Sequence, residues 1–191
     1  MTPTASIDTR HELIRVAMDL MLEKGWTGFS YKDISNRVGI RKASIHYHFP
    51  TKDDLGLAVI AAWRDMYANI HTEIEQKFPN VFKRFAAILS FMEEHFLNRH
   101  ICPAGILDAD FMNLSTEMQD ATRAWNRDRL KLYAAWLDEG RKQGSLKFHG
   151  TPEAQAIALM SGLQGAIQIE RTMGNGTFKQ FTKHAFAGLK A

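Results

Sequence analysis

The sequence predicts an all-α fold of about nine helices. Three observations lead there. Apolar residues return every three or four positions along most of the chain, the spacing that gathers them on one helix face. Hydroxyl residues followed three positions on by an acid, the local signature of a helix start, precede two of these runs. Only five prolines interrupt 191 residues, and Ala, Leu, Met, Glu, Lys and Gln are plentiful, which suits helices better than strands. No segment reads convincingly as a strand.

The elements follow in order. Asp8–Lys24 places Leu13, Ile14, Ala17, Leu20 and Met21 on one side and Glu12, Arg15, Asp19 and Glu23 on the other, and Gly25 ends it. Ser30 and Asp33 form a capping box that opens a short helix to about Val38, with Ile34 and Val38 as its buried pair. Gly39 breaks it. A second short helix runs from about Arg41 to Phe49, held by Ile45 and Phe49, and Pro50 stops it. Two short helices joined by a tight glycine turn outline a helix-turn-helix. Thr51 and Asp54 repeat the capping box and open a long helix to about Gln76, striped by Leu55, Val59, Ala62, Trp63 and Met66. After Phe78-Pro79, Asn80–Arg99 is helical through Phe82, Phe85, Ile88, Leu89, Met92 and Phe96. His100–Gly105 reads as a turn around Cys102-Pro103, followed by a short apolar helix, Ile106–Leu114. Ser115 or Thr116 caps a long helix to about Gln143. Thr151-Pro152-Glu153 starts another, to about Met173, with Thr at the N-cap, Pro at the first position and an acid in the first turn. Gly174-Asn175-Gly176 separates it from the last helix, Phe178–Leu189.

Composition bounds the function. Hydrophobic residues at 45% and charged residues at 24% are ordinary globular values. Cys102 is the only cysteine, so no internal disulfide forms, and a reducing cytoplasm is the expected setting. Met1–Asp8 is too polar to read as a leader. The charge-free stretch Ala154–Ile169 is too short and too polar to span a bilayer, so no membrane partner is expected. The net charge of +3 is unevenly placed. Residues 1–52 contain eight Lys/Arg against five Asp/Glu, whereas the remainder is balanced. Such a basic end on a neutral body suits an anionic macromolecule; a solvated charged face is the plainer alternative.

The geometry of the second short helix favours the macromolecule. Each residue turns about 100° around the axis. With Ile45 and Phe49 facing inward, Ala43, Ser44 and Tyr47 face out, flanked by Lys42 and His46. Small residues near the helix start permit approach to a groove floor, and Arg41 and Lys42 supply charge there. Ser30 and Thr51 stand at helix N-termini, where free N–H groups suit phosphate, and Lys52 adds a cation.

The stretch Phe29–Leu55, FSYKDISNRVGIRKASIHYHFPTKDDL, closely resembles the DNA-binding domain of tetracycline-repressor (TetR/AcrR) family regulators. The likeness lies in the hydroxyl cap before a short helix with Asp-Ile, the Gly-Ile turn, the small Ala43 and the Tyr-x-His-Phe-like cluster followed by Lys and Leu. Two weaker similarities, Cys102–Gly105 and Leu163–Ala166, extend it into the body. The resemblance implies a helix-turn-helix domain over 1–50 and a helical effector-binding and dimerisation domain over 51–191. It implies double-stranded DNA, a second copy of the chain and a small-molecule effector as partners. Its implied DNA contacts are Ser30, Tyr31, Arg41, Lys42, Ala43, Ser44, Tyr47, His48 and Lys52. His46 is kept with them, although the family usually has Tyr there; Ala43 stands where it often has Gly.

Two stripes offer a dimer seam: Ala156, Met160, Leu163 and Ile167 on one helix, and Phe178, Phe181, Ala185 and Leu189 on the last. Gly162, Gly165 and Ala166 allow close helix approach. Spacing alone equally allows both stripes to pack within the monomer; the resemblance implies the dimer. Candidate effector contacts are Trp63, Met66, Tyr67, Phe91, Cys102, Phe111, Met112, Trp125 and Gln164, each also an ordinary core position. Asp108 and Asp110 are acids in an apolar run, suited to a cationic ligand or to exposed helix positions. Cys102, near His95 and His100, raises a thiol-sensing alternative, since a neighbouring imidazolium favours the thiolate. An effector-free DNA-binding protein is a further alternative. No GxSxG, P-loop, HExxH or acid pair points to an enzyme, and no cofactor or metal is expected.

Overall fold

The computed structural model describes residues 3–96 and 101–191, the side chains of 3–8 and 96 excepted. His100 and the expected helix end at Arg99 lie outside the described residues. Nine α-helices are present among the described residues: α1 Pro3–Lys24, α2 Tyr31–Val38, α3 Lys42–His48, α4 Lys52–Lys77, α5 Val81–Phe96, α6 Pro103–Ala109, α7 Thr116–Lys142, α8 Pro152–Met173 and α9 Thr177–Ala187. A single 3-10 turn, Phe111–Asn113, precedes α7. The only β-type pairing among the described residues is one bridge between Leu146 and Lys190.

Two compact units make up the chain. The first holds residues up to Met66 together with Pro103–Arg123; the second holds Tyr67–Cys102 and Ala124–Ala191. The helices α4 and α7 each begin in the first unit and end in the second.

In the first unit, the expected caps form. The Ser30 hydroxyl accepts the Lys32 N–H at 3.2 Å while the Asp33 carboxylate accepts the Ser30 N–H at 2.9 Å. At the start of α4, Asp54 accepts the Thr51 N–H at 2.9 Å and Thr51 Oγ1 accepts the Asp54 N–H at 3.1 Å. Gly39 closes α2 in the left-handed region. Ile34, Ile45 and Leu55 are fully buried, which seats α2, α3 and α4 on a shared core. Truncating any of them to Ala costs about 2–5 kcal/mol.

Three boundaries differ from the sequence reading, one being the end of the short apolar helix expected to reach Leu114: α6 stops at Ala109, and a separate 3-10 turn follows at Phe111–Asn113. The first helix starts at Pro3, not Asp8. Pro103 does not make a turn; it opens α6, where the N–H it lacks has no intrahelical partner in any case.

In the second unit, α8 and α9 form a hairpin. Glu170 holds its turn by accepting the N–H of Gly176 at 3.3 Å and of Phe178 at 2.8 Å. The Thr151 hydroxyl caps α8 through the Ala154 N–H at 3.2 Å. Arg84, nearly buried, forks onto Glu139 at 2.6 and 3.0 Å.

Candidate nucleic-acid interface and body cavity

The buried pair of α3 orients its outer face. Ile45 and Phe49 are 0% and 2% exposed, so the opposite side must point to solvent. Arg41, Lys42, Ala43, Ser44, His46 and Tyr47 are exposed there, Tyr47 by 82%, and His48 is half-buried. The Tyr47 and His48 rings meet edge to face at 5.2 Å. Beside this face lies an open hollow of about 340 Å³, lined by Phe29, Ser30, Tyr31, Lys32, Lys42, His46, Pro50, Thr51 and Lys52. It joins the N-termini of α2 and α4 to one side of α3. Lys32 belongs to it, although the sequence reading did not single Lys32 out as a contact; its place beside the Ser30 cap was the available signal.

Other cations near the hollow are engaged elsewhere. Lys24 pairs with Asp33 at 3.0 Å and Arg37 forks onto Glu23. The Ser30 hydroxyl and the Lys24 ammonium hold the Asp33 carboxyl well below the usual carboxylate range. The side chains of Lys32, Arg41 and Lys42 have no acceptor among the described residues, which leaves a cationic rim.

Three candidate contacts are placed differently from expectation. Tyr31 is 9% exposed, and its hydroxyl donates to the Phe49 and Thr51 carbonyls, tying the end of α3 to the start of α4. Burial, with Asp54 and Asp53 nearby, pushes it up to about 12. That hydroxyl is used inside the head and is not a surface donor. The Lys52 ammonium lies over the Trp26 and Phe29 rings at 4.3 and 4.2 Å and donates to both residues' carbonyls. Burial lowers its pKa. Two of its three N–H groups are therefore taken by the α1–α2 connection. His46 Nδ1 lies 3.1 Å from the Pro50 carbonyl, an acceptor only, so the proton sits on Nδ1. Its ring packs on Tyr31 at 4.8 Å.

Within the second unit a small cavity is lined by Met92, Cys102, Arg129, Tyr133, Met160, Leu163 and Gln164. Its free volume of about 10 Å³ holds about one water molecule. Of the nine effector candidates, only Cys102 and Gln164 are in this wall. Tyr67 packs on the Phe91 ring at 6.0 Å and on the Trp125 ring at 5.6 Å, and none of these three lines the cavity. Trp63, Met66 and Phe111 belong to the first unit and do not line it; Arg123 covers the Phe111 ring at 4.8 Å. Met112 is 85% exposed on the 3-10 turn, which rules it out as a cavity wall. Arg129 and Tyr133 were missed. The signal was present: Trp125, Arg129 and Tyr133 follow one another at four-residue spacing on one face of α7.

One polar group adjoins the cavity wall through Tyr133. His71, 6% exposed, is hydrogen bonded through Nε2 to the Tyr133 hydroxyl at 3.2 Å. Burial, aided by the Arg129 charge, lowers its pKa from 6.5 to about 4, so it is neutral. Of the two histidines near Cys102 in sequence, only His95 is among the described residues. His95 bonds the Phe91 carbonyl at 2.9 Å and stacks on the Phe91 ring, and His100 is outside the described residues.

Five of the eight expected dimer-stripe residues are buried in the single chain: Ala156, Leu163, Ile167, Phe178 and Leu189 are 0–7% exposed, whereas Met160, Phe181 and Ala185 are half-buried. Met160 lines the cavity. Gly162 admits the Phe181 ring, whose Cζ would stand 2.3 Å from a Cβ there, so that close approach is made inside the chain. The opposite face of α8 is open: Ile157 and Ile169 are 53% and 46% exposed, and a Cβ on Gly165 would meet nothing within 4 Å.

Comparison with known proteins agrees with this architecture. The family described as "Bacterial regulatory proteins, tetR family" matches residues 13–59, which span the three head helices and the start of α4. A TetR-family regulator of Agrobacterium tumefaciens superposes with a TM-score of 0.94 at 28% identity, covering 97% of this chain and all of that one. The HTH-type transcriptional repressor NemR of Escherichia coli is 27% identical over 167 residues, covering 83% of this chain and 82% of NemR. Its structure, solved in the reduced form, superposes with a TM-score of 0.84 at 25% identity, over 95% and 97% of the two chains. The head match and the likeness along the remaining length agree: residues 13–59 match the tetR-family domain, and the whole chain is similar in fold and sequence to TetR-family transcriptional regulators.

Proposed function

We propose that this chain is a ligand-responsive transcriptional repressor. It binds a palindromic operator in double-stranded DNA as a homodimer, through residues 1–50, and is released when a small-molecule effector binds within residues 51–191. It acts in the cytoplasm and carries no catalytic role. The observation that carries this reading is the outer face of α3. Lys42, Ser44 and Tyr47 are free to enter a groove while Ile45 and Phe49 fix the helix from behind. Lys32 and Lys42 around the hollow neutralise phosphates and set register; Ala43, Ser44 and Tyr47 read base edges.

The second copy docks on the open face of α8, where Ile157, Gly165 and Ile169 lie on the side away from the core. Effector and operator exclude each other by a reciprocal coupling. The long α4 is the lever: a ligand that favours one setting of it moves the two recognition helices off the spacing of roughly 34–36 Å that successive major grooves require. The test is selection of an operator from random DNA, followed by binding across a salt series. A two-fold symmetric site bound by a dimer, with affinity falling steeply in salt, is the expected result. Sequence-indifferent binding without salt dependence is the contrary one.

A thiol-sensing reading is supported by one observation: Cys102 is part of the cavity wall, where an electrophile arriving in the body would meet it. Treatment with a quinone or an aldehyde then releases DNA from the wild type and not from Cys102→Ser. Equal release from both proteins removes the thiol from the mechanism.

A further inference from the structure

His46 is fixed on one side of its ring and unengaged on the other. Nδ1 donates to the Pro50 carbonyl at 3.1 Å, so the neutral ring carries its proton there and Nε2 is left as an acceptor. Nε2 has no hydrogen-bond partner among the described residues. The ring also packs edge to face on Tyr31 at 4.8 Å. The residue is exposed and lines the hollow between α3 and the starts of α2 and α4.

The charged groups around this ring are mostly of one sign. The start of α2 brings Tyr31 and Lys32, α3 brings Lys42, and the start of α4 brings Lys52. From α1, the Arg10 guanidinium covers the Phe49 ring at 5.0 Å. His48, the other histidine of α3, is half-buried against Tyr47. The nearby acids do not line the hollow. Asp33 is taken up by Ser30 and Lys24, Asp54 by Thr51, and Asp53 follows Lys52 in the first turn of α4. Lys52 is spent on the Trp26 and Phe29 carbonyls, so Lys32 and Lys42 supply the uncommitted charge. Such a hollow suits a phosphate oxygen, which accepts hydrogen bonds and gives none. A neutral His46 opposes that oxygen with the lone pair of Nε2. The imidazolium offers an N–H and a positive charge at the same atom.

We propose that His46 is a proton-switched phosphate contact: on operator binding Nε2 takes up a proton from solvent, and the imidazolium donates to a DNA phosphate seated beside Lys32 and Lys42. The proposal rests on the reading of α3 as a DNA-binding helix and adds a pH dependence to it. The sign follows from linkage. The bound phosphate holds the proton on His46 more tightly than solvent does, so the contact is at full strength where the free ring is already charged and is lost as pH rises. Histidine side chains as a class change charge between about pH 5 and 8. Each subunit takes up at most one proton at this site, so log affinity falls by at most about one per pH unit per subunit.

The test uses the full chain and an operator selected from random DNA. Affinity is read by fluorescence anisotropy from pH 6 to pH 8 at fixed salt, with a salt series at each end. The folded His71 titrates near 4 and does not compete in this window. The expected result is binding at least about tenfold tighter at pH 6 than at pH 8. The slope of log affinity against log salt is steeper at pH 6 by about 0.9 for each imidazolium, which a purely structural role for His46 would not produce. Calorimetry in buffers of different ionisation heat reads the proton uptake directly. His46→Phe keeps a ring against Tyr31 and His46→Gln keeps a polar side chain; circular dichroism checks that both are folded. Both are expected to lose the pH dependence and to keep the wild-type salt slope of pH 8 throughout. His48→Gln keeps the wild-type profile. A wild-type affinity flat in pH, a salt slope that does not change with pH, or the full pH dependence in both His46 variants overturns the proposal. Sequence-specific, salt-dependent binding that is flat in pH leaves the repressor reading intact and removes only the role of His46. Failure to bind any DNA at either pH removes both.

Discussion

The Asp110 carboxylate accepts the backbone N–H of Trp26, joining positions 84 residues apart in the chain. Asp110 follows α6, and Trp26 lies in the connection from α1 to α2, so this bond fixes the segment from which α2 departs. Its neighbour Gly25 has φ +77°, and a Cβ there would come 2.9 Å from Asp110 Oδ2. Hydrogen bonds to a charged group are worth about 1.5–3 kcal/mol. Asp110→Ala is expected to destabilise the chain by about that much and to weaken operator binding, because α2 and α3 lose their reference point. Asp110→Asn keeps a carbonyl acceptor and recovers part of both losses. Urea unfolding and fluorescence anisotropy on labelled operator give the two readouts.

The head residues divide into those that hold it and those left for DNA. Lys32→Ala and Lys42→Ala are expected to lower the slope of log affinity against log salt by about 0.9 for each phosphate no longer neutralised. Stability stays within about 0.5 kcal/mol, since neither side chain has an acceptor among the described residues. Tyr31→Phe does the reverse. It removes a buried hydroxyl bonded to the Phe49 and Thr51 carbonyls, and costs about 1 kcal/mol of stability. Lys52→Met strips the donors from the Trp26 and Phe29 carbonyls and lowers stability as well. Thermal melts beside salt titrations separate the two groups. A Lys42→Ala variant that melts early with an unchanged salt slope would reverse the assignment.

What the sequence made legible was what is local. The capping boxes at Ser30 and Thr51, the Thr151-Pro152 start and the Gly39 stop involve residues within four positions of each other, and each formed as spacing alone required. Pro103 was not legible, because proline breaks a helix and begins one with equal ease. The α8 stripe was not legible either. Ala156, Leu163 and Ile167 on one side and Ile157 and Ile169 on the other are both apolar, and periodicity does not say which face meets the chain's own core. The bond from Asp110 to Trp26 left no trace in any window of sequence.

The corrected α8 face leads to a contrast between two substitutions on one helix. Ile157 is 53% exposed, so Ile157→Asp leaves the folded chain intact and, by placing a charge in the proposed seam, shifts dimer to monomer. Leu163 is 7% exposed, and Leu163→Asp buries an unpaired carboxylate and unfolds the chain. Analytical ultracentrifugation with circular dichroism distinguishes a folded monomer from an unfolded chain. A folded, fully dimeric Ile157→Asp protein would move the seam off this face.

His71 sets a pH dependence with a definite sign. Its folded pKa is about 4 against an ordinary 6.5, so between these values the unfolded chain binds the proton and the native chain does not. Stability therefore rises with pH across that window and is fully present above about pH 6.5. It is lost progressively as pH falls toward 4, by at most about 3 kcal/mol at 1.36 kcal/mol per pH unit. The cause is burial of a neutral imidazole, with Arg129 opposing protonation and Tyr133 holding Nε2. The carboxyls of Asp33 and Asp54 have lowered pKa values and contribute their own acid dependence only below about pH 4. His71→Gln keeps a hydrogen-bonding group toward Tyr133 and removes the titration. Urea unfolding from pH 4.5 to 7.5 should show the wild type losing stability relative to this variant as pH falls. Parallel curves for the two proteins would mean that the proton enters elsewhere.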